Sequence, residues 1–186
     1  MDFNYFIIGL NHKSADLTLR ERVSIPEAKI LQAQHQLKTA LDPLAIEQVI
    51  LSTCNRTEFY FYGNNLSHIF DKTLNWLAIY ANENIEKIQA HAYKREGKDA
   101  VSHIFCLACG LDSMAMGETQ ILGQLKSATR MSKELGYSGN NLDYLTQKAF
   151  NVAKLVRSET DIGKQSISLA SLSIQLTKKI YGNLSN

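Results

Sequence analysis

Ile46-Glu47-Gln48-Val49-Ile50-Leu51-Ser52-Thr53-Cys54-Asn55-Arg56-Thr57-Glu58-Phe59-Tyr60-Phe61-Tyr62-Gly63 is the stretch that decides the fold. Ile46 to Leu51 reads as a short apolar strand. Thr57 to Gly63 alternates, with Phe59 and Phe61 facing one way and Glu58, Tyr60 and Tyr62 the other. A short polar turn joins two strands that are neighbours in a sheet.

Working outward, Phe3 to Leu10 is a β-rich run on the N-terminal side. Ser24-Ile25-Pro26-Glu27 has the pattern of a helix start, with Ser24 as cap and Pro26 in the first turn. Ile30, Ala33, Leu37 and Leu41 follow at helical spacing, and Asp42-Pro43 stops the helix. On the other side, Asn64-Asn65 breaks the strand, Leu66 to Ala81 reads as a helix, and Ile88 to Tyr93 reads as a weaker fourth strand. The order is β-α-β-β-α-β, the split or ferredoxin-like pattern.

After Gly97 the chain becomes helical. Asp99 to Ala108, Glu118 to Leu135, the stripe Leu142, Leu145, Ala149, Val152 and Val156, and Ile167 to Tyr181 are the candidates. The last is apolar on most sides and therefore expected to be buried. The fold class is α+β: a ferredoxin-like unit over 1–96, a helical part over 97–165, and a connecting helix beginning at 166–186.

Composition narrows the functional classes. Against 20 Lys+Arg stand 18 Asp+Glu, a net charge of +2, which excludes a strongly basic nucleic-acid coat or an acidic tail. Three cysteines imply no disulfide framework and fit a reducing, cytoplasmic compartment. No run approaches 18 apolar residues, so no membrane segment is expected. There is no G-x-G-x-x-G, no phosphate loop and no H-E-x-x-H.

Three segments carry chemistry. In the turn, Cys54 lies among Thr53, Asn55 and Arg56 rather than apolar neighbours. A nearby guanidinium favours the reactive thiolate, and turn N–H groups can stabilise an oxyanion. The same cysteine can equally be a small side chain filling a turn. The second segment is His103-Ile104-Phe105-Cys106-Leu107-Ala108-Cys109. Its H-x-x-C-x-x-C spacing aligns three metal ligands, but the apolar neighbours of Cys106 and Cys109 favour core packing over metal binding. His103 reads either as a core histidine or as an acid–base group. The third, Gly110 to Gln124, gathers Asp112, Ser113, Glu118, Gln120 and Gln124 near a helix start, with Gln120 and Gln124 on one face. Lys126, Arg130 and Lys133 form a stripe on that helix. Lys154 and Arg157 lie on the next. These read as solvated faces, or as contacts for RNA phosphate.

Taken together, the motifs resemble glutamyl-tRNA reductases. Ser-Thr-Cys-Asn-Arg-Thr-Glu at 52–58 is similar to that family's active-site signature. Gly110-Leu111-Asp112-Ser113 followed by Gly117-Glu118-Thr119-Gln120-Ile121-Leu122-Gly123-Gln124 is similar to its second signature. Gly9-Leu10-Asn11-His12-Lys13-Ser14-Ala15, Arg20-Glu21 and Arg157 to Gly163 also match.

The resemblance implies a cysteine nucleophile, Cys54, that attacks the ester of glutamyl-tRNA(Glu). It leaves a thioester, which NADPH reduces to glutamate-1-semialdehyde on the way to tetrapyrroles. It implies a role for His103 in proton transfer. Thr53, Asn55, Arg56, Ser113, Glu118, Thr119, Gln120 and Gln124 become substrate-binding positions. Arg56 would bind the glutamate side-chain carboxylate and Glu118 the ammonium group. NADPH would be held by a domain outside this chain, so the chain by itself would form and hydrolyse the thioester. No metal is expected. The whole enzyme would be a homodimer that works with glutamate-1-semialdehyde aminotransferase. The competing readings are another cysteine acyl-transfer enzyme, an RNA-binding module stacking bases on Tyr60 and Tyr62, and a thiol redox sensor at Cys106 and Cys109.

Overall fold

The computed structural model describes residues 4–114, 118, 120–163, 177 and 179. In chain order these form β1 (Asn4–Asn11), α1 (Leu17–Val23), α2 (Glu27–Leu41), β2 (Ala45–Ser52), β3 (Arg56–Gly63), α3 (Leu66–Ala81), α4 (Ile85–His91), β4 (Tyr93–Glu96), α5 (Gly97–Ala108), α6 (Gln120–Glu134) and α7 (Asn140–Glu159). A single turn at Asp161–Gly163 follows. The strands make one antiparallel sheet in the order β2-β3-β1-β4. The hairpin β2-β3 closes with Ser52 opposite Thr57, and β1 lies on its far side with Gly9 opposite Glu58. This is the ferredoxin-like arrangement, followed by helices.

Three elements depart from the sequence reading. Ile88–Tyr93 is not the fourth strand. Asn84 accepts a hydrogen bond from the Glu86 N–H at 2.7 Å and starts α4, in which Ile88 is the buried residue. The strand is instead Tyr93–Glu96, four residues whose last three are exposed. Such a charged edge strand leaves no alternating apolar signal to read. Second, α1 was not anticipated. Asp16 caps it, accepting from the Leu19 N–H at 2.8 Å. Third, Ser24 ends α1 instead of starting α2, whose first residue follows Pro26. The expected helix over 167–181 and the connecting segment 166–186 lie outside the described residues, apart from 177 and 179.

Both faces of the sheet are covered. Phe6, Ile8, Leu10, Phe59 and Phe61 pack under α1–α4 in one apolar cluster. Ile7, Val49, Leu51 and Tyr60 pack under α5–α7 in a second. The alternation along β3 therefore sorts its side chains between two cores, and the helices after Gly97 supply the second. At the β2 edge, α2 and α6 meet. Gln48 donates to Gln34 Oε1 at 2.8 Å, and Gln34 donates to Ser132 at 2.5 Å. The Gln48 N–H donates to the Tyr137 carbonyl at 2.8 Å, and Lys38 donates to the Ala45 and Ile46 carbonyls. Glu47 reaches the start of α7, where it accepts from the backbone N–H groups of Asn141 and Leu142 at 3.0 and 2.7 Å. These are helix N–H groups with no partner inside the helix.

Candidate active site

The turn between β2 and β3 is organised by Thr53. Its hydroxyl oxygen accepts from the N–H groups of Asn55 and Arg56, each at 3.2 Å, while its own N–H donates to the Arg56 carbonyl at 2.8 Å. Cys54 sits at the tip, exposed and free. The Asn55 carbonyl accepts from the His12 N–H at 2.9 Å, which ties the end of β1 to the turn. The expectation that turn N–H groups face an oxyanion is thus revised for Asn55 and Arg56. Thr53 already holds both.

Behind the turn lies a buried polar network that sequence reading did not find. Arg56 is 2% exposed and Glu58 is 0% exposed. Arg56 Nη1 donates to Glu58 at 2.6 Å and to Asp112 at 3.0 Å, and Nη2 donates to the Asp112 carbonyl at 2.5 Å. The Glu58 carboxylate also accepts from the Tyr60 hydroxyl and, at 2.5 Å, from the Tyr93 hydroxyl. His103 Nε2 lies 3.1 and 3.2 Å from its two oxygens. Lys13 completes the set with a 2.5 Å bond to Asp112. Gly9 makes room, because a Cβ there would stand 2.7 Å from Glu58 Cγ. A buried carboxylate survives only when so provided for.

The charges follow from this geometry. Burial pushes the Glu58 carboxyl up, but His103, Arg56 and Tyr60 outweigh it and hold it well below its ordinary range. Burial likewise raises Asp112, and Lys13 and Arg56 reverse this. Burial and then Glu58 push the Tyr93 hydroxyl far up, so it stays a donor. Glu58, His103 and Asp112 place three ligand atoms within 4.8 Å of one another, a spacing that suits a metal. Arg56 bridges both carboxylates and Lys13 adds the second positive charge at Asp112, so the donor set already fits these two cations rather than a metal ion.

Arg56 joins the two signature segments, since both of its nitrogens reach the 110–113 stretch from β3. Thr53, Cys54, Asn55 and Arg56 from the turn, Ser113 and Glu118 from the second segment, and Gln120 and Gln124 from α6 line one small cleft. Arg157 of α7 donates to the Glu118 carbonyl at 3.3 Å and steadies that wall. Of the residues read as substrate-binding, Thr119 alone lies outside the described residues. His103 does not line this cleft. It faces Glu58 on one side and a separate cavity of about 330 Å³ on the other, with Asp99, Cys106 and Asp112.

Arg56, read as a grip for a substrate carboxylate, lines the cleft while its Nη1 and Nη2 are bonded to Glu58 and Asp112. The stacking reading of the strand tyrosines is corrected. Tyr60 is 1% exposed and lies under the helices, so it offers no face for stacking bases. Tyr62 packs against the same cluster. The basic stripe on α6 is exposed, in keeping with a solvated face, and has neighbours within the chain: Lys126 lies 5.5 Å over the Phe150 ring, Arg130 is 4.0 Å from Glu134, and Lys133 is 2.7 Å from Asp143. Cys109 is buried in the second core and Cys106 is half-buried, each a free thiol.

Residues 8–160 match the family described as glutamyl-tRNAGlu reductase, N-terminal domain. The chain is 42% identical over 177 residues to the glutamyl-tRNA reductase of Neisseria meningitidis serogroup B, covering 95% of this chain and 41% of that protein. It is 43% identical over 180 residues to that of Ectopseudomonas mendocina, covering 97% and 41%. Among solved structures, glutamyl-tRNA reductase from Methanopyrus kandleri superposes with a TM-score of 0.72 at 27% identity, over 97% of this chain and 41% of that one. The chain thus spans about two-fifths of the length of these relatives.

Proposed function

This chain belongs to the family of glutamyl-tRNA reductase N-terminal domains, and we propose that it carries out the acyl-transfer half of that family's reaction. The Cys54 thiolate attacks the carbonyl carbon of the ester in glutamyl-tRNA(Glu). A C–S bond forms, the C–O bond to the terminal ribose breaks, and the departing hydroxyl takes up a proton. The observation that carries this reading is the convergence of eight predicted residues on one cleft around an exposed cysteine.

Within that cleft Glu118 receives the substrate ammonium group, and Gln120 and Gln124 orient the acyl chain from one face of α6. Arg56 acts through Glu58 and Asp112, which fix the turn against the second segment. His103 holds Glu58 and belongs to the same support. Residues 1–96 supply the nucleophile, and 97–165 supply the opposite wall.

NADPH supplies the hydride that reduces the acyl group in the whole reductase. Among the described residues no glycine-rich cradle for its pyrophosphate is present. Pairing into a homodimer and transfer of the aldehyde to an aminotransferase belong to the same proposal for the whole protein.

The test is mass spectrometry after mixing the chain with glutamyl-tRNA(Glu), without NADPH, and quenching in acid. A glutamyl adduct is expected on the wild type and not on Cys54→Ser. An adduct that persists in Cys54→Ser, or none on the wild type while the tRNA binds, would overturn the reading.

A further inference from the structure

One arginine stands apart from the rest. Arg22 faces Glu83 at 3.4 Å, Arg56 holds Glu58 and Asp112, and Arg95 lies over the Tyr93 ring. Arg130 is 4.0 Å from Glu134, and Arg157 reaches the Glu118 carbonyl. Arg20, on α1, meets no such partner among the described residues. Its Nε and Nη1 are buried without a hydrogen bond. A guanidinium cannot shed its charge, and withdrawing its N–H groups from water unpaired is costly.

A second unpaired group lies beside it. His12 Nδ1 is also buried without a partner. Burial lowers the His12 imidazole below its ordinary value, and the charges of Arg56, Lys13 and Arg20 add to this against Asp112. The ring is therefore neutral near pH 7. A neutral imidazole carries one N–H, and an acceptor at Nδ1 selects the tautomer that donates from there.

The nearby carboxylates are already engaged. Asp16, one turn before Arg20, caps α1 by accepting from the Leu19 N–H. Asp112 accepts from Lys13 and Arg56. The place of the unpaired donors is defined by the backbone, since the His12 N–H donates to the Asn55 carbonyl at 2.9 Å. They border the Cys54 turn, yet neither residue lines the Cys54 cleft.

We infer that Arg20 and His12 form a site for a phosphate group at the border of the Cys54 turn. Nε and Nη2 share one edge of the guanidinium, which suits two oxygens of one phosphate. Nη2 is not among the buried atoms, so the oxyanion enters from that side. The imidazole donates to a third oxygen, and the exposed Lys13 adds positive field from the same loop. Two sources share this chemistry, a backbone phosphate of the RNA ester and a free phosphorylated molecule. The preference for RNA rests on the acyl-transfer reading, which puts the ester at this turn. Phosphate contacts of that kind position a strand without reading its sequence.

The first arm titrates inorganic phosphate into the isotope-labelled chain at constant ionic strength, with chloride as control. It follows the Arg20 Nε–H, and in all variants the His12 ring. Saturable shifts are expected with phosphate alone. Arg20→Gln should weaken binding about tenfold or more, Arg20→Lys should restore part of it, and Arg22→Gln should leave it unchanged. Equal shifts with chloride, undiminished binding in Arg20→Gln, or an equal loss in Arg22→Gln would overturn the inference. The second arm measures binding of an unacylated RNA hairpin with a single-stranded 3′ end across a range of salt. Arg20→Gln should reduce the slope of log K against log salt by about one. An unchanged slope beside saturable phosphate shifts upholds the site and assigns it to a free phosphorylated molecule. Neither readout passes through Cys54. Phosphate shifts without a glutamyl adduct uphold the site and refute the acyl-transfer reading; an adduct without phosphate shifts refutes the site alone.

Discussion

Beneath α1–α4 the sheet presents Phe6, Ile8, Leu10, Phe59 and Phe61, and the contact is apolar. Beneath α5–α7 the centre is also apolar, through Ile7, Val49, Leu51 and Tyr60, but two buried carboxylates flank it, Glu47 and Glu58. Glu47 is satisfied by backbone N–H groups at the start of α7, and Glu58 by a guanidinium, two phenols and an imidazole. One face supplies burial. The other supplies burial and also a fixed charge pattern leading to the Cys54 turn. Stability alone gives no reason for the second design, because replacing a buried ion pair by apolar residues is commonly neutral or better.

Four substitutions and one titration would break or sharpen this contrast. Phe61→Ala, on the apolar face, should lower unfolding free energy by about 4 kcal/mol in denaturant titration, while the Cys54 adduct still forms under native conditions. Glu58→Gln should cost about 3 kcal/mol and also slow adduct formation, because Arg56 loses a partner. Equal effects of the two on adduct rate per folded molecule would erase the distinction. Glu47→Ala should cost about 2 kcal/mol and spare the adduct rate, separating the two carboxylates by role.

The pH dependence sharpens it further. Glu58 and Asp112 titrate in the folded chain below their ordinary values of 4.5 and 3.8. The unfolded chain therefore binds protons first, and the stability these groups contribute is complete above about pH 4.5 and declines as pH falls. Phe61→Ala should keep that acid slope in denaturation curves, and Glu58→Gln should flatten it. The smallest effect is a gain. Gly123→Ala should raise stability by about 0.5–1 kcal/mol, measured as a shift in denaturant midpoint.

Much of the scaffold is legible in single residues. The alternation Phe59, Tyr60, Phe61 announces a strand, and Leu66 to Ala81 announces a helix whose ends the structure keeps. Tyr93-Lys94-Arg95-Glu96 could not be read as a strand, since pairing with β1 supplies what its side chains do not. The cleft residues were found because they cluster in two short segments. The network behind them was missed because its members are scattered: Glu58 and Tyr60 looked like the polar side of a strand, and Tyr93 looked like a strand end. Only the fold brings them to one carboxylate. A charged residue in the middle of a strand whose other side chains are aromatic was the one available signal.

The two edges of the sheet carry a last consequence. An open strand edge is a template on which another chain can add, the usual start of fibrous aggregation. On β2 the Gln48 N–H is held by Tyr137, and the carbonyls of Ala45 and Ile46 are held by Lys38. On the other edge, β4 is only four residues long and bears Lys94 and Arg95. Sheet extension is thus blocked at one border by occupied groups and at the other by brevity and charge, which leaves self-association to surfaces other than the strands.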